Sequence, residues 1–137
     1  MTYALDTNTI SYWIQKNAQI AENLNQALRQ GATIIIPPTT YYEIRRGFKH
    51  KAAPGKEFAF SLICRSYEVG EMSLAAWEKA ADIYAYTRKS GKTIEDTDIL
   101  IAAFCIVNGY TLVSNNTKHF KHIRDLDITD WTRQSGV

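Results

Sequence analysis

The chain is 137 residues long, with 45% hydrophobic and 22% charged residues. That composition suits one folded domain and excludes a disordered or fibrous chain. Lys plus Arg number 16 and Asp plus Glu 14, a formal charge of +2, which excludes nucleic-acid binding by bulk positive charge but not by a local basic surface.

Tyr3-Ala4-Leu5 reads as a buried strand ending at Asp6, and Thr7-Asn8-Thr9 as a polar turn with N-cap chemistry. A short helix is expected through Ile10, Trp13 and Ile14. A second carries Ile20, Leu24, Ala27 and Leu28 to about Gln30, capped by Gly31. Thr33-Ile34-Ile35-Ile36 reads as a buried strand stopped by Pro37-Pro38. Thr40 is placed to cap a helix bearing Glu43, Ile44 and Phe48. Residues 49–57, with Pro54 and Gly55, read as a loop, and Phe58 to Cys64 as helical. Tyr67 to Val69 reads as a strand or an extended link.

Ser73 caps a long helix whose buried face is expected to hold Leu74, Trp77, Ala80, Ala81 and Tyr84, ending near Ser90-Gly91. Asp98 to Asn108 is apolar almost all round, so it is expected between layers, with Gly109 ending it. Thr111 to Ser114 is a further strand, Asn115 to Thr117 a loop, and the tail with Leu126, Ile128 and Trp131 a last edge element. Strands alternating with helices predict a central parallel sheet covered on both faces, an α/β sandwich. No repeat or linker divides residues 1–137, so a single domain is expected.

Cys64 and Cys105 have no metal-binding spacing, and Cys105 reads as a small buried hydrophobe. The first residues have neither the basic nor the apolar region of a signal peptide. The longest apolar run, Ile99 to Val107, is too short to span a bilayer. A reducing cytoplasmic setting with no membrane is expected.

Ligands of open parallel sheets bind at the carboxyl ends of strands. Asp6, Glu43, Asp98 and Asn116 all follow a strand or open a helix, so all four can meet at one edge. Converging carboxylates repel, and a hard divalent cation relieves that repulsion; oxygen-only ligands favour Mg2+, with Mn2+ as a substitute. Each residue also has a structural reading. Asp6 suits an Asx turn, Thr40-Tyr41-Tyr42-Glu43 fits a capping box, and Asp96 and Asp98 suit the positive end of a helix. Asp98 adjoins the apolar stripe and is better placed than Asp96 to face a cleft.

These residues carry a resemblance. Leu5-Asp6-Thr7-Asn8, Glu43 after a Pro-ended strand, Asp98-Ile99-Leu100-Ile101-Ala102-Ala103 and Leu112-Val113-Ser114-Asn115-Asn116-Thr117-Lys118-His119-Phe120 resemble, in order and over almost the whole chain, a PIN domain. More narrowly, they resemble a VapC-type toxin of a toxin–antitoxin pair. The tail from Leu126 to Trp131 is similar to the enterobacterial type. The resemblance implies a three-layer α/β/α fold and a Mg2+-dependent endoribonuclease, with Asp6 and Asp98 as metal ligands and Glu43 as the third acid. Thr7, Asn8, Ser114 and Asn116 fall at supporting positions. Asn116 stands where many members carry a fourth acid, which points to one tightly held ion. The resemblance also implies a cognate antitoxin, a homodimer and a tRNA substrate, with initiator tRNA suggested by the enterobacterial likeness.

Three basic stretches lie near these acids in sequence: Arg45, Arg46, Lys49, Lys51 and Lys56; Arg88, Lys89 and Lys92; and Lys118, Lys121 and Arg124. Arg45, Arg46, Lys49 and Lys118 are the candidate RNA-binding cations, and Tyr41, Tyr42 and Phe120 the candidate base-stacking rings. His50, His119 and His122 read as surface groups without a carboxylate partner. Tyr41, Tyr42, Tyr84 and Tyr86 are candidate contact surfaces or core. A receiver-type signalling module is disfavoured because Asp6 lacks an acidic neighbour, and a two-aspartate phosphatase because Asp6-Thr7-Asn8 lacks the second acid. A catalytically weak binding protein acting through its antitoxin remains the alternative.

Overall fold

A computed structural model describes residues 1–134. The last three residues of the expected single domain lie outside the described part. Twelve elements follow in order: β1 (Thr2–Leu5), α1 (Thr7–Ile14), α2 (Ala18–Arg29), β2 (Thr33–Ile36), α3 (Pro38–His50), α4 (Pro54–Ser66), β3 (Glu68–Val69), α5 (Leu74–Lys89), α6 (Asp96–Asn108), β4 (Thr111–Val113), α7 (Thr117–Phe120) and β5 (Ile128–Thr129).

The strands form one sheet in the order β3-β2-β1-β4-β5, every neighbouring pair parallel. Ala4 of β1 sits in register with Ile35 of β2 and Leu112 of β4. Alternate residues point to opposite faces. Ala4, Ile35 and Leu112 pack with Ile83 of α5 and Ile99, Ala102 and Ala103 of α6. Leu5, Ile34, Ile36 and Val113 pack on the other face with Ile10 of α1, Ile20 and Leu24 of α2, Ile44 of α3, and Phe60 and Ile63 of α4. The sheet therefore has a buried core on each side, the three-layer α/β/α sandwich expected from the sequence. The tail supplies the edge strand β5, and Cys105 is buried with its thiol pushed up to about 12 by desolvation.

Several local expectations need correction. Thr40 does not cap α3. The helix starts at Pro38, whose fixed φ and missing N–H suit a first helical position. Thr40 is instead buried in the first turn and donates its hydroxyl to the Leu5 carbonyl at 3.0 Å, tying α3 to the end of β1. The expected loop 49–57 shrinks to 51–53, because α3 continues to His50 and Pro54 opens α4. Helix α6 begins at Asp96 rather than Asp98, β4 ends at Val113, and Thr117 begins α7.

The buried face of α5 also differs. Leu74, Trp77 and Tyr84 are 84%, 51% and 46% exposed, while Ala76, Ala80, Ile83 and Thr87 face inward. Both stripes recur at helical spacing. Of the expected face only Ala80 is buried; the stripe Ala76, Ala80, Ile83 and Thr87 carries no large ring and so allows close approach to α6, itself lined by Ala102 and Ala103.

Candidate active site

Strand β1 is central, and the chain departs from it toward β2 on one side and β4 on the other. Such a switch in strand order opens a crevice at the carboxyl ends. Asp6 stands there, its N–H donating to the Val113 carbonyl at 3.1 Å. Its Oδ1 accepts from the Thr9 N–H at 2.8 Å, so Asp6 is the N-cap of α1 and is itself buried. The turn-forming and site-forming readings of Asp6 thus coexist on one carboxylate, since one oxygen satisfies the helix.

The other acids reach the same place from the two helical layers. Glu43 comes from α3 and Asp98 from the first turn of α6. With Asp6, Thr7, Asn8, Thr97, Ile101, Asn116 and Phe120 they line a cleft of about 130 Å3. Glu43 serves no capping box. Its Oε1 accepts from the Thr7 hydroxyl at 2.9 Å, and Arg46 lies 3.6 Å from its Oε2. Asp98 lies 3.5 Å from His119 Nδ1, so His119 does have the carboxylate partner that the sequence left unseen. Asp96 is exposed and does not line the cleft.

Burial holds the Asp98 carboxyl above its usual range, the charge and hydrogen bond of His119 pull it down, and the charges of Glu95 and Glu43 push it up. The acids therefore feel one another across the cleft. Ser114 is fully buried and does not line the cleft; its hydroxyl accepts from the Asn116 N–H at 3.0 Å and so sets the turn that carries Asn116.

Among the described residues, no three Asp, Glu, His or Cys side chains are grouped tightly enough to form a ready metal cage. The donor set nonetheless fits a hard cation: oxygen ligands from Asp6 and Asp98 face a polar cleft, and Mg2+ commonly takes one or two carboxylates and keeps several waters.

The cations divide. Arg46 is exposed, stacks over Tyr42 with its guanidinium carbon 5.1 Å from the ring centre, and touches Glu43. Arg45 instead pairs with Glu57 of α4 at 3.0 Å, a link between helices. Lys49 is exposed but lines neither the cleft nor the hollows beside it. Lys118 lines a hollow of about 420 Å3 that shares Asp98 with the cleft, together with Lys92, Lys121 and His122. Lys51 and Lys56 line a hollow of about 320 Å3 that shares Thr7 and Glu43. The two signs touch at Glu43 and at Asp98, and the lysines stand outward of both. Arg88 and Arg124 lie over Tyr84 and Tyr86. Phe120 is 4% exposed, so it forms part of the cleft wall and is not a free stacking ring. Tyr41 and Tyr42 are exposed. Thr97 and Ile101 escaped sequence reading; their i,i+4 spacing, flanking Asp98, was the available signal.

The PIN domain profile matches residues 3–126. The chain belongs to the PIN domain family. This PIN domain is 28% identical over 134 residues to Ribonuclease VapC2 of Rickettsia felis, covering 97% of this chain and 100% of that one. It is 27% identical over 135 residues to the tRNA(fMet)-specific endonuclease VapC of Shigella flexneri, covering 96% and 99%. The crystal structure of VapBC2 from Rickettsia felis bound to a DNA fragment from its promoter aligns with a TM-score of 0.88 at 26% identity, covering 96% of this chain and 99% of that chain. The fold and family expected from the sequence are thereby established. Among the described residues no helix is long and apolar enough to cross a membrane.

Proposed function

We propose that this PIN domain is a Mg2+-dependent endoribonuclease and the toxin of a toxin–antitoxin pair. The observation that carries the proposal is the convergence of Asp6, Glu43 and Asp98, from the sheet and both helical layers, on one cleft flanked by lysine-lined hollows. RNA cleavage calls for that layout, with carboxylates at the centre for metal and cations outward for phosphates. The names of the VapC relatives support it.

Asp6 and Asp98 would hold the ion. Mg2+, or Mn2+ in its place, supplies a water of lowered pKa and neutralises charge on the phosphodiester. Glu43, fixed by Thr7, aims a carboxylate into the cleft and is placed to accept the proton of an attacking water. Asn8 and Asn116 offer amide groups that orient water or phosphate without adding charge, consistent with one tightly held ion. Ser114 holds the Asn116 turn. Arg46 and Lys118 are retained as RNA-binding cations and Lys49 as an outer one, whereas Arg45 is committed to Glu57. Because the RNA 2′-OH is not needed as nucleophile, the products carry 5′-phosphate and 3′-hydroxyl ends.

The proposed substrate is tRNA, with initiator tRNA favoured by the Shigella relative's name. A cognate antitoxin, a homodimer and a cytoplasmic setting belong to the same reading, and the VapBC complex among its structural neighbours supports the antitoxin. The purified chain should cut tRNA with Mg2+ or Mn2+, and EDTA or Asp98→Asn should abolish cleavage. Activity surviving both would overturn the mechanism. A catalytically weak binding protein draws on Asn116 and the lack of a tight acid cluster among the described residues; a Mg2+ titration of the purified chain that shows no site-specific binding would favour it.

A further inference from the structure

The acidic cleft is the middle of a longer trough. Toward α6 it shares Asp98 with the hollow lined by Lys92, Lys118 and Lys121. Toward α3 it shares Thr7 and Glu43 with the second hollow. The two ends differ in chemistry. The α6 end presents three lysines and two histidines beside Glu95 and Asp98, with one buried apolar residue, Ile94. It offers charge and little surface for stacking. The α3 end has a floor of Ile14, Ile44 and Phe48, side-chain hydrogen-bonding groups on Ser11 and Gln15, and only Lys51 and Lys56 as cations.

An apolar floor ringed by a few polar groups suits a flat, hydrogen-bonding ring, and a lysine cluster suits a phosphate backbone that carries no sequence information. Resting on the ribonuclease reading above, we propose that the trough reads RNA asymmetrically. The hollow beside Glu43 seats one nucleobase, with Gln15 reading its edge, and the hollow beside Asp98 grips only phosphates. The base selected would thus lie on one side of the scissile phosphate. Gln15 ends α1, which begins at the Asp6 cap, so a base held there is set in register with the acidic centre through one short helix.

The test is binding of labelled single-stranded RNA to the full chain in EDTA, which separates recognition from cleavage. Fluorescence anisotropy against A-, C-, G- and U-rich oligonucleotides over a KCl series would compare the wild type with Gln15→Ala and Lys121→Ala. Both side chains are exposed, so neither change removes core packing. Gln15→Ala should change the rank order of the four oligonucleotides several-fold and leave the salt slope unchanged. Lys121→Ala should weaken all four alike and lower the log–log salt slope by about 0.7, the value for one phosphate contact on a single strand. If wild-type binding is salt-dependent and Gln15→Ala leaves the rank order intact, the base site is overturned while the ribonuclease reading stands. If Lys121→Ala alters rank order, the division of labour is wrong. If the wild type binds none of the four RNAs at any KCl concentration, both proposals fall.

Discussion

The Thr7 hydroxyl donates to Glu43 Oε1 at 2.9 Å, joining the first residue of α1 to α3 within one helical layer. Glu43 is half-buried and its other oxygen faces Arg46, so Thr7 sets which oxygen points where. A hydrogen bond to a charged, partly buried carboxylate contributes on the order of 1–2 kcal/mol. Thr7→Val keeps the shape and removes the donor. It should lower kcat about tenfold with little change in Tm, and Thr7→Ser should restore most of it. Cleavage kinetics on one RNA with all three chains would check this. An unchanged rate in the valine variant would remove Thr7 from the positioning of Glu43.

Asp6 serves two purposes that substitutions can separate. Its Oδ1 caps α1 through the Thr9 N–H. Losing an N-cap acceptor costs about 0.5–2 kcal/mol. Asp6→Asn retains an oxygen acceptor and loses the charge, so it should abolish activity while the urea midpoint stays close to wild type. Asp6→Ala should abolish activity and also lower the midpoint. Equal destabilisation by both would show that the charge, not the cap, supports the fold here.

Gly70 follows β3, and its N–H donates to the Ile36 carbonyl at 2.8 Å. A Cβ at this position would lie 2.4 Å from Phe104 Cζ and 2.9 Å from Phe104 Cε1. Phe104 is buried in the α6 core and has little room to move. Overpacking of this kind costs about 1–3 kcal/mol. Gly70→Ala should therefore lower Tm by several degrees, whereas Gly47→Ala, with open space around its Cβ, should hold or raise it. Thermal melts of the two variants would decide.

The layered fold was legible because β1, β2 and β4 are short apolar runs separated by helical segments, a pattern that only a covered parallel sheet satisfies. The acids were legible because they fall at strand ends and helix starts. What escaped depended on choices among local signals of similar strength. Thr40 carries cap chemistry, yet Pro38 starts the helix and the Thr40 hydroxyl is used between layers. Trp77 and Leu74 carry far more apolar area than alanine, yet the close α5–α6 contact selects Ala76 and Ala80. His119 and Asp98 stand 21 residues apart in number, on α7 and α6, so their contact depends on the path of β4 between them. Arg45 and Arg46 are adjacent and alike in sequence, and only helix geometry sends one to Glu57 and the other to Glu43.

Asp98 makes the cleft sensitive to pH. Burial leads in holding its carboxyl above the usual range, and Glu95 and Glu43 add to it against the opposing pull of His119. Between the ordinary aspartate value and this raised one, the folded chain binds more protons than the unfolded chain, so the Asp98 contribution to stability declines as pH rises through that window. Above it the ionised carboxylate carries a constant penalty. Asp98→Asn should accordingly raise Tm at pH 7, with the gain shrinking as the pH falls from the raised value toward the ordinary aspartate value. A divalent cation acts in the opposite sense, because it binds the ionised form and offsets the repulsion from Glu43. Mg2+ should raise the wild-type Tm at pH 7, raise it less as acid protonates Asp98, and leave the Asn variant nearly unmoved. Melts of both chains with and without Mg2+ across pH 4–8 would check the two signs together. A Mg2+ shift that persists in Asp98→Asn would move the cation away from this carboxylate.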